Sequence, residues 1–261
     1  MCIIVYKPAG VALPPRETLK NCFDNNPDGC GYMLRTRNGI EIDKGYFNFN
    51  EFYENLTKIK NINSFEVGLH FRIATHGTVN VLNCHPFAIT KKLKKIRKVQ
   101  QTTETAVMHN GVLSSVQVKN SSGLSDTVVY TRDVLNNLSN LTASNLTTNR
   151  QAIDTINATR GTSRLLIFDK NGVKLFGNFI KENGVYYSND SFKTSYASFW
   201  NTSIFSNETP KFKACKNCLW LQECNTYGAY CITENQAKQE ALNSEIIDNG
   251  PEPETGVLYD I

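Results

Sequence analysis

Apolar residues in this chain come in short alternating or continuous runs, separated by turns rich in Asn, Gly and Pro, with a few stretches of helical period between them. Ile3-Ile4-Val5-Tyr6 reads as a buried strand. After a loop from Lys7 to Pro14, Pro14-Pro15 leads into a short helix over 16–23, since proline suits a helix's first turn, and Asn25-Asn26-Pro27-Asp28-Gly29 ends it. Two runs, 29–34 and 40–42, flank Arg37-Asn38-Gly39, an Asn-Gly hairpin signal. Glycines on both sides of Cys30 imply that the backbone passes close to something there. Asn50 is the expected N-cap of a helix reaching Ile59, with Phe52, Leu56 and Ile59 on one side.

Further along, 66–77 is a strand running into a polar turn, and 106–113 is a buried strand broken at His109-Asn110-Gly111. Ser125 is a natural N-cap for a helix carrying Val128, Val129, Val134, Leu135 and Leu138, and a second helix is predicted over 145–158. Strands return at 164–168, 173–176 and 185–187, joined through Lys170-Asn171-Gly172 and Glu182-Asn183-Gly184. Two sheets stacked face to face, with helices covering the outside, satisfy this order.

At 261 residues and 40% hydrophobic, the chain can bury one sizeable core. No apolar run approaches eighteen residues and no basic segment precedes an apolar one, so neither a membrane span nor a signal peptide is expected, and the reading is cytoplasmic. A net charge of +4 names no partner. Six positive charges in Lys91 to Lys98 read as a solvated hairpin or loop, or as a patch for an acidic partner; without interleaved aromatics, nucleic acid is not expected. All four histidines, His70, His76, His85 and His109, lie within forty residues. None shares the i, i+4 spacing of a helical zinc pair, so they read as turn and pocket residues.

The strand at the start of the chain carries the candidate chemistry. Removal of Met1 would make Cys2 the terminal residue, so that one residue holds both a thiol and an α-amine of pKa roughly 8, able to take the thiol proton and return it.

Five pieces then stand in order: Met1-Cys2 opening a strand; Asn26-Pro27-Asp28-Gly29-Cys30-Gly31; Arg72-Ile73-Ala74-Thr75-His76-Gly77 with Asn83-Cys84-His85-Pro86-Phe87; His109-Asn110-Gly111; and Ser125-Asp126-Thr127. Together they resemble the class II glutamine amidotransferase domain, a branch of the N-terminal-nucleophile (Ntn) hydrolases, and are most similar to its stand-alone bacterial members. The resemblance implies an α+β fold, a four-layer αββα sandwich of two mainly antiparallel sheets. It makes Cys2 the nucleophile, Asn110 and Gly111 the oxyanion donors, Arg72 the ligand of the glutamine α-carboxylate and Asp126 that of its α-ammonium, with Thr75 and His76 also at the substrate. The substrate implied is L-glutamine, with no cofactor for catalysis. Family members commonly carry Gly after the nucleophile, where this chain has Ile3, and an aromatic before Ala-Thr, where it has Ile73.

The amidotransferase unit is expected over 1–205, a Cys-rich element over 206–232 and an acidic, disordered tail over 233–261. Cys215, Cys218, Cys224 and Cys231 place four thiols in seventeen residues. A structural zinc site, an iron–sulfur cluster, or packed or paired cysteines are the alternatives. The chain leaves no length for a synthetase domain, so a stand-alone glutaminase and the amidotransferase subunit of a complex both stay open, as do hydrolysis of another amide and a catalytically idle binding module.

Overall fold

The computed structural model describes residues 2–74, 79–118 and 123–193. It is an α+β fold with two antiparallel sheets. The larger has seven strands: β1 (Ile3–Lys7), β2 (Cys30–Thr36), β3 (Gly39–Tyr46), β4 (Glu66–Phe71), β6 (Gln100–Thr103), β10 (Ile180–Glu182) and β11 (Val185–Tyr187), ordered β10-β11-β1-β4-β2-β3-β6. The smaller has β5 (Phe87–Ala88), β7 (Ala106–Asn110), β8 (Arg164–Asp169) and β9 (Gly172–Phe176), ordered β5-β7-β8-β9.

Three apolar clusters set the stacking, and the two-residue period of the strands assigns each side chain to one of them. On one side, Ile3, Val5, Tyr32, Leu34, Leu69 and Phe71 pack with Leu19 and Cys22 of α1 (Arg16–Asn25) and Phe49, Phe52 and Leu56 of α2 (Phe49–Thr57). Between the sheets, Ile4, Tyr6, Met33 and Ile42 meet Ala106, Met108, Leu166 and Phe168. On the far side, Val107, Leu165 and Ile167 pack under Val128, Tyr130 and Leu135, with Ala152 and Ile156 of α6 (Arg150–Thr159). The stack therefore runs helices, sheet, sheet, helices. Gly68 lets the sheets approach: a Cβ there would stand 2.8 Å from Leu166 Cδ2.

The hairpin at Arg37–Asn38 forms as its Asn-Gly signal predicts, with Gly39 at φ +124 and strands β2 and β3 registered from Thr36↔Gly39. Ser125 caps α4 (Asp126–Tyr130) by accepting the Val128 N–H, and the helix continues through a π turn at Thr131–Leu135 into α5 (Asn136–Leu141).

Three expectations shift, and one element was not expected. Helix α2 begins at Phe49, not after Asn50, because Asn48 is the cap that accepts the Asn50 and Glu51 N–H groups. Helix α6 begins at Arg150, since Asn145 spends its side chain on a turn, accepting from Thr148 N, Thr148 Oγ1 and Asn149 N, and Asn149 becomes the cap. The basic segment holds a short helix, α3 (Leu93–Arg97), rather than a loop or hairpin, pinned by the buried Ile96. Polar 100–103, unread as structure in the sequence, is edge strand β6 paired to β3. The Cys-rich element over 206–232 and the tail over 233–261 lie outside the described residues, as do residues 194–205 of the first unit. No helix among the described residues is long and apolar enough to cross a membrane.

Candidate active site

Strand β1 lies between β11 and β4, hydrogen-bonded on both edges, and so delivers Cys2 to the interior rather than to a fraying end. Cys2 is half-buried. Its Sγ stands 3.4 Å from both Ile73 N, which donates to it, and Ile73 O, which can accept its S–H. Asn189 Nδ2 donates to the Cys2 carbonyl at 2.8 Å, and Asn189 is itself held by Ser191, whose N–H and hydroxyl both donate to Asn189 Oδ1. Burial pushes the Cys2 thiol up from its ordinary pKa, while the Ile73 hydrogen bond and the Arg72 guanidinium pull the other way.

The backbone opposite the sulfur is set by the Asn26-Pro27-Asp28-Gly29 turn. Asp28 N–H donates to Arg72 O at 2.8 Å, Arg72 N–H donates to Gly29 O at 2.9 Å, and Ala74 N–H donates to Asp28 Oδ2 at 2.7 Å. These bonds extend the β2–β4 ladder past its last strand residue and fix Arg72, only 3% exposed, directly before the residue that touches the sulfur. The glycines around Cys30 are close-approach points, as expected. A Cβ on Gly29 would lie 2.4 Å from Cys84 Sγ, and one on Gly31 2.4 Å from His85 O.

Asn110 ends β7 and is fully buried. Its Nδ2 lies 2.8 Å from Ser188 Oγ, which also accepts the Ile4 N–H at 2.9 Å, and Ser188 N–H donates back to Ile4 O. The strand that follows Cys2 and Asn110, from different sheets, are thus joined through one hydroxyl. Gly111 has φ +139, and a Cβ there would sit 2.5 Å from Ser163 Oγ and 2.9 Å from Ser163 Cα, so no other residue fits.

Asp126 closes the next turn. Its Oδ2 accepts Leu113 N–H at 2.8 Å, and its Oδ1 accepts Thr127 N–H at 2.7 Å and Thr127 Oγ1 at 3.2 Å. Since that hydroxyl donates to the carboxylate, it accepts from His109 Nδ1–H at 2.8 Å. His70 Nε2 donates to His109 O at 2.9 Å and stacks on His85 with centroids 4.1 Å apart. Burial lowers all three imidazoles, His70 to about 3, His109 to about 4 and His85 well below its usual range, so each is neutral.

Of the residues singled out by sequence, the structure sets Cys2 against Ile73, the neighbour of Arg72, and joins Asn110 through Ser188 to Ile4, two residues beyond Cys2. It places Gly111 beside Asn110, and ties Asp126 to the loop that follows. Thr75 and His76 lie outside the described residues, as do Cys215, Cys218, Cys224 and Cys231. Sequence reasoning gave no role to Ser188 or Asn189, nor to Asp28 beyond its turn; the cluster Ser188-Asn189-Asp190 after a strand was their one local sign.

No family model matches the chain, and no curated protein matches it. Among the solved structures it is similar to the glutamine phosphoribosylpyrophosphate (PRPP) amidotransferase from B. subtilis complexed with ADP and GMP. The two share 18% sequence identity, with a TM-score of 0.38, over 72% of this chain and 41% of that one. The present chain thus spans less than half the length of that protein.

Proposed function

We propose that the chain is a class II, Ntn-type glutamine amidotransferase or glutaminase that releases ammonia from the glutamine side-chain amide through a thioester on Cys2. The observation that carries this reading is the placement of the Cys2 sulfur against the backbone beside Arg72, with its strand bonded through Ser188 to Asn110. The helix–sheet–sheet–helix stack supports it as the expected αββα sandwich.

With Met1 removed, the Cys2 α-amine takes the thiol proton as sulfur attacks the γ-carboxamide carbon. The Ile73 N–H, already donating to Sγ, stabilises the thiolate as it forms. Charge develops on the amide oxygen, where the Asn110 side-chain amide and the Gly111 backbone N–H act as donors; one such donor is worth about 10²–10³ in rate. The tetrahedral centre collapses, the C–N bond breaks and ammonia leaves with the proton held by the α-amine. Water then adds to the thioester, the C–S bond breaks, and glutamate is released with the thiol regenerated. Arg72 supplies a planar fork for the α-carboxylate, and Asp126 retains lone pairs for the α-ammonium. The ammonia acceptor would be held by a partner, a synthetase or acceptor-binding subunit.

One observation favours a second reading. The Asp126 carboxylate already accepts three hydrogen bonds within the protein, an arrangement that also suits an amide substrate without an α-ammonium group.

Glutamate release from glutamine by the full chain, with intact mass reporting Met1 removal, tests the proposal. Cys2→Ala should abolish the activity. Arg72→Ala should raise KM for glutamine by about tenfold or more, the loss of a charge-assisted bidentate contact. Retention of Met1 in active protein would overturn the mechanism, and indifference of KM to Arg72→Ala would move the assignment to another amide.

A further inference from the structure

Ser188 is 1% exposed and lies outside every motif that points to catalysis, yet it touches both halves of the proposed machinery. Its Oγ accepts the N–H of Ile4, two residues beyond the nucleophile, and stands 2.8 Å from the terminal amide of Asn110. With Asn110 Nδ2 facing the serine, Asn110 Oδ1 is buried with no hydrogen-bond partner among the described residues, which is costly for a carbonyl oxygen. Turning the amide by half a rotation about its last bond exchanges oxygen and nitrogen at nearly the same positions. Ser188 then accepts from Ile4 N–H and donates its own proton to Asn110 Oδ1. The buried carbonyl then has its donor, and the amide nitrogen takes the position with no protein partner among the described residues, its N–H bonds left for the oxyanion rather than spent on the serine.

We propose that Ser188 is a positioning residue for this reaction: its hydroxyl fixes the plane of the Asn110 amide with the N–H edge toward the developing oxyanion, and through Ile4 sets that edge against the strand carrying Cys2. This role rests on the amidase reading above. It follows from hydrogen-bond directionality, because a hydroxyl that accepts from a rigid strand amide has its remaining donor direction restricted. The hydroxyl also bridges the two sheets at the level of the proposed chemistry, so a small movement between sheets reaches the oxyanion donor without contact with substrate.

Steady-state kinetics on the full chain test this. Ser188→Ala should lower kcat for glutamine hydrolysis by about 10–100-fold with KM within about twofold, because the donor acts chiefly in the transition state. Ser188→Thr, which keeps the hydroxyl, should recover kcat to within about fivefold. The Ser188→Ala/Asn110→Ala double variant should be no slower than Asn110→Ala alone, since both changes remove the same donor. An unchanged kcat in Ser188→Ala, or a double variant whose loss is the product of the two single losses, would overturn the proposal. If Ser188→Ala does not fold, Ser188→Cys, with its weaker donor, takes its place with the same outcomes. Were the unaltered chain to release no glutamate, the amidase reading would fall. In that case NMR cross-relaxation decides the orientation: a strong contact from the Asn110 side-chain NH₂ protons to Ser188 Hβ puts the nitrogen against the serine and overturns it, and its absence beside an intact Ile4 N–H to Ser188 Hβ contact supports it.

Discussion

Asp28 shows how one carboxylate beyond a helix can order a segment more than forty residues away. It accepts the Ala74 N–H while its own N–H donates to Arg72 O, and it is nearly buried. Its role is to hold the backbone on which Arg72 and Ile73 sit. Under the proposed glutaminase activity, Asp28→Ala should therefore raise KM for glutamine several-fold while kcat falls less, measured by steady-state kinetics. Gly31 is the complementary case, a residue needed for what it lacks. A methyl group there would meet His85 O at 2.4 Å and Lys44 Cα at 2.7 Å, both backbone atoms, so Gly31→Ala should cost about 1–3 kcal/mol in urea unfolding. Close approach at Gly31 was legible, since glycines flanking a strand cysteine advertise a missing side chain. Ser188 and Asn189 were not legible as site residues. Their partners lie 184 and 187 positions away in the chain, and a serine after a strand looks like any turn residue.

At the scale of elements, what could be read was local chemistry, and what could not was chosen by tertiary pairing. The Asn38-Gly39 hairpin and the Ser125 cap are decided within four residues and appear where the sequence puts them. Helix α2 had two asparagines competing for one cap. Asn48 accepts two backbone N–H groups, whereas Asn50, among the described residues, accepts from the exposed Arg16. Asn48→Ala should accordingly destabilise by about 1 kcal/mol and Asn50→Ala by a few tenths, a contrast that chemical denaturation can read. Strand β6 has no apolar alternation to betray it, because its residues sit at a sheet edge and it is defined by pairing Ile40↔Thr103 to Asp43↔Gln100. Helix α3 is specified in part from elsewhere: fully buried Lys44, over the Phe87 ring at 4.2 Å, donates to Ile96 O at 3.1 Å.

Across the whole molecule, buried titratable groups make stability depend on pH in two windows. The lowered imidazoles of His70, His85 and His109 leave the native state with fewer bound protons than the unfolded chain below about pH 6.5. Stability present above that pH is therefore lost as pH falls, by up to about 1.4 kcal/mol per pH unit for each ring. Lys44 is lowered to about 7 by burial, against an ordinary value of 10.5, so its native form holds fewer protons above pH 7 and its contribution rises with pH. Urea midpoints at pH 5, 7 and 9 should show an acid-side fall for the native chain. Lys7, lowered to about 8 by burial, adds a rise of its own above pH 8, so Lys44→Met should remove only the Lys44 share and the difference between the two proteins should change by about 1.4 kcal/mol per pH unit from 7 to 9. A constant difference would mean that Lys44 stays charged in the folded protein.

The pairing of Val5 with Tyr187 also carries a consequence for synthesis on the ribosome. The first strand emerges early but gains one of its two neighbours only when the chain has grown past residue 187, and the hydroxyl that meets Ile4 comes one residue later. Until then β1 lacks its β11 edge and has only β4 to pair with. A chain ending at residue 180 would contain Cys2, Arg72, Asn110, Gly111 and Asp126 but lack Tyr187, the partner of Val5, and Ser188, the hydroxyl that joins Ile4 to Asn110.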